Sequence, residues 1–307
     1  MVFMRILFIT FLVLLISCDS RSHKDVVDDS RPAVVVTTNL LADAIKHIVK
    51  DSVRVESLMG AGVDPHLYKA SIGDLRKLLD ADLIFYQGLH LEGKLGEVLG
   101  KLGRTKSVMA LADHLPSQQI RYVDTNKSVP DPHIWFDVHI WKNIVETACQ
   151  KLSEKMPSHT DYFRTNADVY MKELDKLDQY IRQQVSLIDP EKRVLITSHD
   201  AFNYFGAAYG IEVRGLQGIS TLSEFGLKDV SDLVKIIIDR DITAVFVETS
   251  VSSRSLEAVI AGVRERGGQV SIGGTLYTDA LGEEGQPEGT YIGMMRNNIQ
   301  TIVKGLK

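Results

Sequence analysis

Two segments of the chain, Gly62-Val63-Asp64-Pro65-His66-Leu67-Tyr68 and Val129-Pro130-Asp131-Pro132-His133-Ile134-Trp135, repeat the tripeptide Asp-Pro-His. Proline fixes its own φ and drives the preceding residue into an extended conformation. Each tripeptide therefore presents an imidazole from a stiff loop, with a carboxylate two residues behind it. That carboxylate either orients the ring or pins the turn, and both roles stay open. A third candidate, His199, stands in Thr197-Ser198-His199-Asp200, at the carboxyl end of an apolar strand. Ligands of open α/β sheets bind at that end. A fourth, Asp279, closes the glycine-rich segment that begins at Gly273-Gly274 and is its only carboxylate before Glu283. Three imidazoles and one carboxylate form a nitrogen/oxygen set closed enough for a divalent metal such as zinc. The Irving–Williams order favours Zn²⁺ over Mn²⁺ at imidazole, while a bidentate Asp279 raises the coordination number and admits Mn²⁺. Both metals remain open. With ordinary imidazole pKa values near 6.5, proton competition predicts affinity falling steeply below about pH 6.

The remaining histidines have plainer settings. His47 and His159 sit in helical stretches with polar neighbours, His114 and His139 lie near loop or helix ends, and His23 falls in a polar N-terminal stretch. Gly88-Leu89-His90-Leu91-Glu92-Gly93-Lys94 imitates a phosphate-binding loop. Its eighth position is Leu95, where Mg²⁺ needs a hydroxyl, and Glu92 would oppose phosphate with like charge. Nucleotide chemistry is thereby excluded from this chain. Only two cysteines occur, Cys18 and Cys149, so there is neither a disulfide framework nor a thiolate site. Cys149 reads as a small core residue within a helix.

The elements that must position these residues alternate. Val34–Val36, Val53–Met59, Leu83–Tyr86 and Ser107–Ala110 read as strands separated by helices such as Leu40–Val49. The rhythm restarts with strands Val194–Thr197, Glu212–Val213, Ala244–Val247 and Gln269–Ser271, and helices at Phe202–Tyr209, Lys228–Asp239, Ser255–Arg266 and Thr290–Val303. Strand–helix alternation implies parallel sheets, hence an α/β protein with two (βα)-type lobes. Gly273 onward is then a loop beyond the last strand. Between the lobes, Phe163, Ala167, Tyr170, Leu174, Leu177, Ile181 and Ile188 put one apolar stripe on an uninterrupted helix. Ser158 or Thr160 can cap its start and Asp189-Pro190 stops it. At 1.5 Å per residue it is about 40 Å long, a stiff strut that predicts small lobe motions. The boundaries are an N-terminal lobe over 32–157, the linking helix over 158–188 and a C-terminal lobe over 189–307.

The first residues differ from the rest. Ile6–Ile16 is almost continuously apolar, about half the roughly 20 residues that span a bilayer, and reads as the core of a signal peptide over 1–17. It ends in Leu15-Ile16-Ser17-Cys18, which resembles a bacterial lipobox with Cys18 as the acylated residue. Residues 18–31 are polar, as a flexible tether is. A formal net charge of −5 without a basic stripe excludes nucleic acid as a partner.

Taken together, the lipobox, both Asp-Pro-His turns, Ser198-His199-Asp200-Ala201-Phe202, the central helix and the terminal Asp loop resemble the cluster A-I metal-binding receptors of ABC importers. The resemblance covers the chain after Pro32. It implies an extracytoplasmic, lipid-anchored monomer that is not an enzyme, with His66, His133, His199 and Asp279 as the ligands of Zn²⁺ or Mn²⁺. It also implies delivery to a membrane permease driven by a separate ATPase subunit. Manganese-selective members carry Glu at the third position, so His199 leans toward zinc or dual use. Dedicated zinc receptors often carry a His-rich loop before the second ligand, and Pro116–Pro130 holds no His. Rival readings are a zinc hydrolase or chelatase with Glu224 or Glu248 as base, and a metal-stabilised adhesin. Whether Asp64, Asp131, Asp200, Glu224 and Glu248 serve the site or only the fold stays open.

Overall fold

The computed structural model describes residues 30–123 and 125–307. The signal segment and Cys18 lie outside the described residues. Strands β1 (Ala33–Val36), β2 (Arg54–Ser57), β3 (Leu83–Tyr86) and β4 (Val108–Ala110) form one parallel sheet in the order β2-β1-β3-β4. A second parallel sheet repeats that order as β6-β5-β7-β8, from β5 (Val194–His199), β6 (Glu212–Gln217), β7 (Ala244–Glu248) and β8 (Ser271–Leu276). The strand order reverses beside β1 in the first sheet and beside β5 in the second. Ligand crevices open at such reversals, beyond the carboxyl ends of the strands.

Helices α1 (Asn39–Val49), α2 (Ile72–Asp80), α3 (Gly93–Leu102) and α4 (Val138–Lys155) belong to the first half. Helices α6 (Asn203–Tyr209), α7 (Leu227–Asp239), α8 (Arg254–Glu265) and α9 (Tyr291–Leu306) belong to the second. Local chemistry sets several ends. Thr38 caps α1 by accepting from Leu41 N–H, Asp137 caps α4, and Ser71 with Asp74 makes a reciprocal capping box on α2.

The linking helix, α5, spans Thr160–Val185, 26 residues and about 39 Å. It is continuous, but both ends differ from the sequence expectation. Neither Ser158 nor Thr160 caps it. A 3₁₀ turn at Pro157–His159 feeds directly into the helix, and His159 stacks on Phe163 with ring centroids 5.5 Å apart. At the other end the helix stops before Ile188, which turns inward to full burial while its carbonyl accepts from Arg193 Nε at 3.0 Å. The apolar stripe of α5 packs on α1 and α4 from one half and on α9 from the other.

That packing makes one continuous core out of both halves. It runs from Val36 and Leu41 through Trp141, Tyr170 and Leu174 to Tyr291 and Ile299. Polar ties reinforce it. Asn39 exchanges two hydrogen bonds with the backbone of Leu281, and the Tyr291 hydroxyl donates to the Trp135 carbonyl at 2.7 Å. Cys149 is buried in this core, as a small apolar residue would be. Opening the halves widely would expose this shared apolar surface at about 25 cal/mol per Å², which favours small motions.

A further sequence expectation is overturned. The segment from Gly273 is not a loop beyond the last strand; it is the middle of β8. A Cβ at Gly273 would stand 2.9 Å from the Phe246 ring, and α9 crosses close by at Gly305. The glycines serve close strand–helix packing, and the register shift between Val245 and Phe246 accommodates them.

Candidate metal centre

Each of the four residues singled out by context reaches the same point by a different route. His66 follows β2. Asp64 Oδ1 accepts the His66 backbone N–H at 2.8 Å, which closes the Asp-Pro-His turn. The loop rests on Gly93, where a Cβ would stand 2.9 Å from the His66 carbonyl. Gly93 has φ 47°, a conformation in which glycine is favoured. His133 is held more fully. Asp131 Oδ1 accepts both its backbone N–H at 3.0 Å and its Nδ1–H at 2.7 Å. The two motifs thus divide the roles that sequence left open: Asp64 pins a turn, whereas Asp131 pins the turn and orients the ring.

His199 ends β5, with Glu248 at the end of the neighbouring β7. Glu248 accepts the His199 backbone N–H at 2.8 Å and also its Nδ1–H. Glu248 is therefore committed to holding His199, and Glu224 is exposed. Asp279 follows β8. Its Oδ2 accepts from Ser250 Oγ at 3.1 Å, and the carbonyl of Thr278 accepts from Trp135 Nε1 at 2.9 Å.

With Nδ1 tied back on two rings, the Nε2 atoms face inward. His66 and His133 Nε2 lie 3.4 Å apart, and His133 and His199 Nε2 lie 3.3 Å apart. Asp279 Oδ1 is 3.5 Å from the Nε2 of both His133 and His199. One donor atom from each of the four residues fits within 4.8 Å of all the others, and all four residues are buried. A tetrahedral ion with bonds of about 2.0–2.1 Å holds its ligand atoms about 3.3–3.4 Å apart. Asp279 Oδ1 is also buried without any hydrogen-bond partner, the condition of a carboxylate oxygen built for a cation. The set fits a divalent metal.

The electrostatics divide the histidines. Burial holds His66 down at about 3, against the pull of Asp279. Burial alone would lower His133 too, but Asp131 and Asp279 override it and raise His133 to about 9. His199 is likewise raised well above its usual value, because Glu248 and Asp279 outweigh its burial. Asp279 lies well below the ordinary carboxylate range: burial pushes it up, but the three imidazoles win.

The other described histidines stay outside. His47 stacks on Tyr170 with centroids 4.0 Å apart; His90, His114 and His139 are exposed, and His159 is half-buried beside Phe163. The phosphate-loop look-alike has an unforeseen role. Glu92 is fully buried and accepts from Thr37 Oγ1 at 2.8 Å and from the N–H groups of Gln87 and Gly88 at 2.7 and 3.3 Å. The loop amides that would hold a phosphate hold this carboxylate instead. Gln87 then donates through Nε2 to the Pro132 carbonyl at 2.6 Å, next to His133. This segment supports both histidine loops. Its one sequence signal was an acid inside a glycine-rich, apolar stretch.

Two parallel-sheet lobes on a shared core, with a buried three-histidine, one-aspartate cluster between them, define a metal-binding α/β protein of the two-lobed receptor class. Residues 34–305 match the model of the zinc-uptake complex component A, periplasmic, and the chain belongs to that ZnuA family. It is 47% identical over 302 residues to the manganese-binding lipoprotein MntA of Bacillus subtilis, covering 98% of this chain and 97% of that one. It is 44% identical over 283 residues to the zinc-binding protein TroA of Treponema pallidum, covering 92% and 91%. The solved structure of that periplasmic zinc-binding protein superimposes with a TM-score of 0.87 over 90% of this chain and 99% of its own.

Proposed function

We propose that the protein captures Zn²⁺ or Mn²⁺ between its lobes, through His66, His133, His199 and Asp279, and delivers it to an ABC importer. The convergence of three Nε2 atoms and an unpartnered, buried carboxylate oxygen carries this reading. The family supports it, as do relatives named for manganese and for zinc. The metal is cargo, so the site must bind and release it. Four protein donors enclose the ion and leave little room for a catalytic water, while Glu248 is spent on His199. An enzymatic reading has no support.

The same reading assigns 1–17 to a signal peptide, 18–31 to a tether acylated at Cys18, 32–157 and 189–307 to the lobes, and 158–188 to the linker. Relatives named as lipoproteins support an extracytoplasmic, membrane-anchored location. The partners are a permease and its ATPase, met by a monomer. Metal analysis of the purified chain, with competitive titration of Zn²⁺ and Mn²⁺, tests the cargo. Tight binding of one ion per chain is expected, and a chain that binds neither refutes the proposal. Mass spectrometry of membrane-extracted protein tests the anchor by the presence of a lipid-modified N-terminal Cys18.

A further inference from the structure

The three imidazoles are not held alike. His133 and His199 each donate Nδ1–H to a carboxylate, Asp131 and Glu248. Among the described residues, the His66 ring has no such partner; its support is Asp64, which grips only the backbone N–H at 2.8 Å. Asp64 is itself held from the opposite lobe. Thr221, on the loop between β6 and α7, donates its hydroxyl to Asp64 Oδ2 at 2.6 Å, across 157 residues of chain. One interlobe hydrogen bond thus joins Gly93, on which the loop rests, in positioning His66.

That bond lies on the wall of a cavity of about 290 Å³ lined by Asp64, Leu67, Thr221, Phe225, Ser250 and Arg254. Ser250 donates to Asp279 Oδ2, so the cavity reaches two of the four site residues through single neighbours. His133 and His199 are closed off completely, whereas His66 keeps a few per cent of exposure. An ion leaves most easily where a ligand can swing and space lies behind it. The His66 ring, with no carboxylate behind it, meets the first condition, and the cavity opens beside it, at the flanking Asp64 and Leu67.

We infer that Thr221 is a latch on metal release: its hydrogen bond to Asp64 holds the His66 loop shut, and the ion departs past His66 into this cavity when that bond opens. This rests on the receptor reading above. A hydrogen bond to a carboxylate governs an opening equilibrium by about tenfold or more, so its loss raises the release rate by a similar factor. Thr221 touches no metal and acts only through Asp64, which makes it a positioning residue.

The test uses the full chain loaded with Zn²⁺ and mixed rapidly with excess chelator. Thr221→Val keeps the side-chain shape without the hydroxyl and is expected to release Zn²⁺ about tenfold faster. Thr221→Ser is expected to stay within about twofold of the unsubstituted chain, because the hydroxyl remains. Asp64→Asn should add little on top of Thr221→Val, since both break one bond. The melting temperature of the metal-free Thr221→Val chain should fall by no more than a few degrees, the effect of one hydrogen bond in a chain of this size. Release at the unsubstituted rate in Thr221→Val overturns the latch, as does release from Thr221→Ser that is as fast as from Thr221→Val. An unsubstituted chain that binds no Zn²⁺ overturns the receptor reading instead.

Discussion

Glu248 closes both bonds of His199: one carboxylate oxygen takes the backbone N–H, the other takes Nδ1–H. The two residues end adjacent parallel strands, so sheet pairing alone brings them together. A carboxylate on the far nitrogen of a metal-binding imidazole fixes its tautomer and raises its basicity. Glu248→Gln should therefore weaken Zn²⁺ binding by about 10- to 100-fold, read by competitive titration. Glu224→Gln, on an exposed side chain, should change nothing. Equal effects of the two substitutions would contradict the role given to Glu248.

The four proposed ligands should separate cleanly from the other histidines. Alanine in place of His66, His133, His199 or Asp279 removes one of four donors that share a point within 4.8 Å. Alanine at His47, His90 or His159 touches no donor. Metal titration of the seven variants should show losses of at least about 100-fold in the first group and under about twofold in the second.

Proton release on binding carries the sign of the pKa shifts. In the metal-free site His133, raised to about 9, is protonated at pH 7 to 8, and Glu248 and Asp279 shift His199 in the same direction. His66, held at about 3, is already neutral. Binding should expel at least about one proton per ion in that range, and affinity should keep rising toward pH 9. The window lies above the fall below pH 6 that ordinary imidazoles imply, because carboxylates face two of the three rings. The same shift bears on stability. A folded pKa above the unfolded value of about 6.5 stabilises the metal-free fold fully below pH 6.5, and that contribution is lost as pH rises through 9. Calorimetry in buffers of differing ionisation enthalpy counts the protons; a count near zero at pH 7.5 would sink the assignment.

Two glycines on α3 should respond oppositely. At Gly93, with φ 47°, a Cβ would press on the His66 carbonyl at 2.9 Å. Gly93→Ala should cost about 1–3 kcal/mol in folding and displace the His66 loop, weakening metal binding with it. Gly96 has open space around the Cβ position, so Gly96→Ala should gain up to about 1 kcal/mol and leave metal affinity alone. Thermal melts of both variants, with and without Zn²⁺, decide this.

The short-range rules of the chain were enough to read the parallel α/β architecture, the continuous linking helix and the four residues whose donor atoms converge. Asp-Pro-His is informative because proline restricts its neighbours within two residues. His199 was legible because it ends a strand, and strand ends are where parallel sheets bind. What tertiary structure decided lies across long separations. Glu248 reaches His199 over 49 residues, and Thr221 reaches Asp64 over 157. No local periodicity encodes such pairs, since strand order and the packing of α5 between α1, α4 and α9 place them. The same holds for Gly273-Gly274, whose composition reads as a loop until Phe246 and Gly305 are seen pressing on the strand. It holds again for Glu92, whose segment resembles a phosphate cradle until the loop closes on its own carboxylate. Sequence chose the chemistry because ligand types and turns are local properties. The fold chose which side chains support each ligand, because burial and hydrogen bonding follow from neighbours in space.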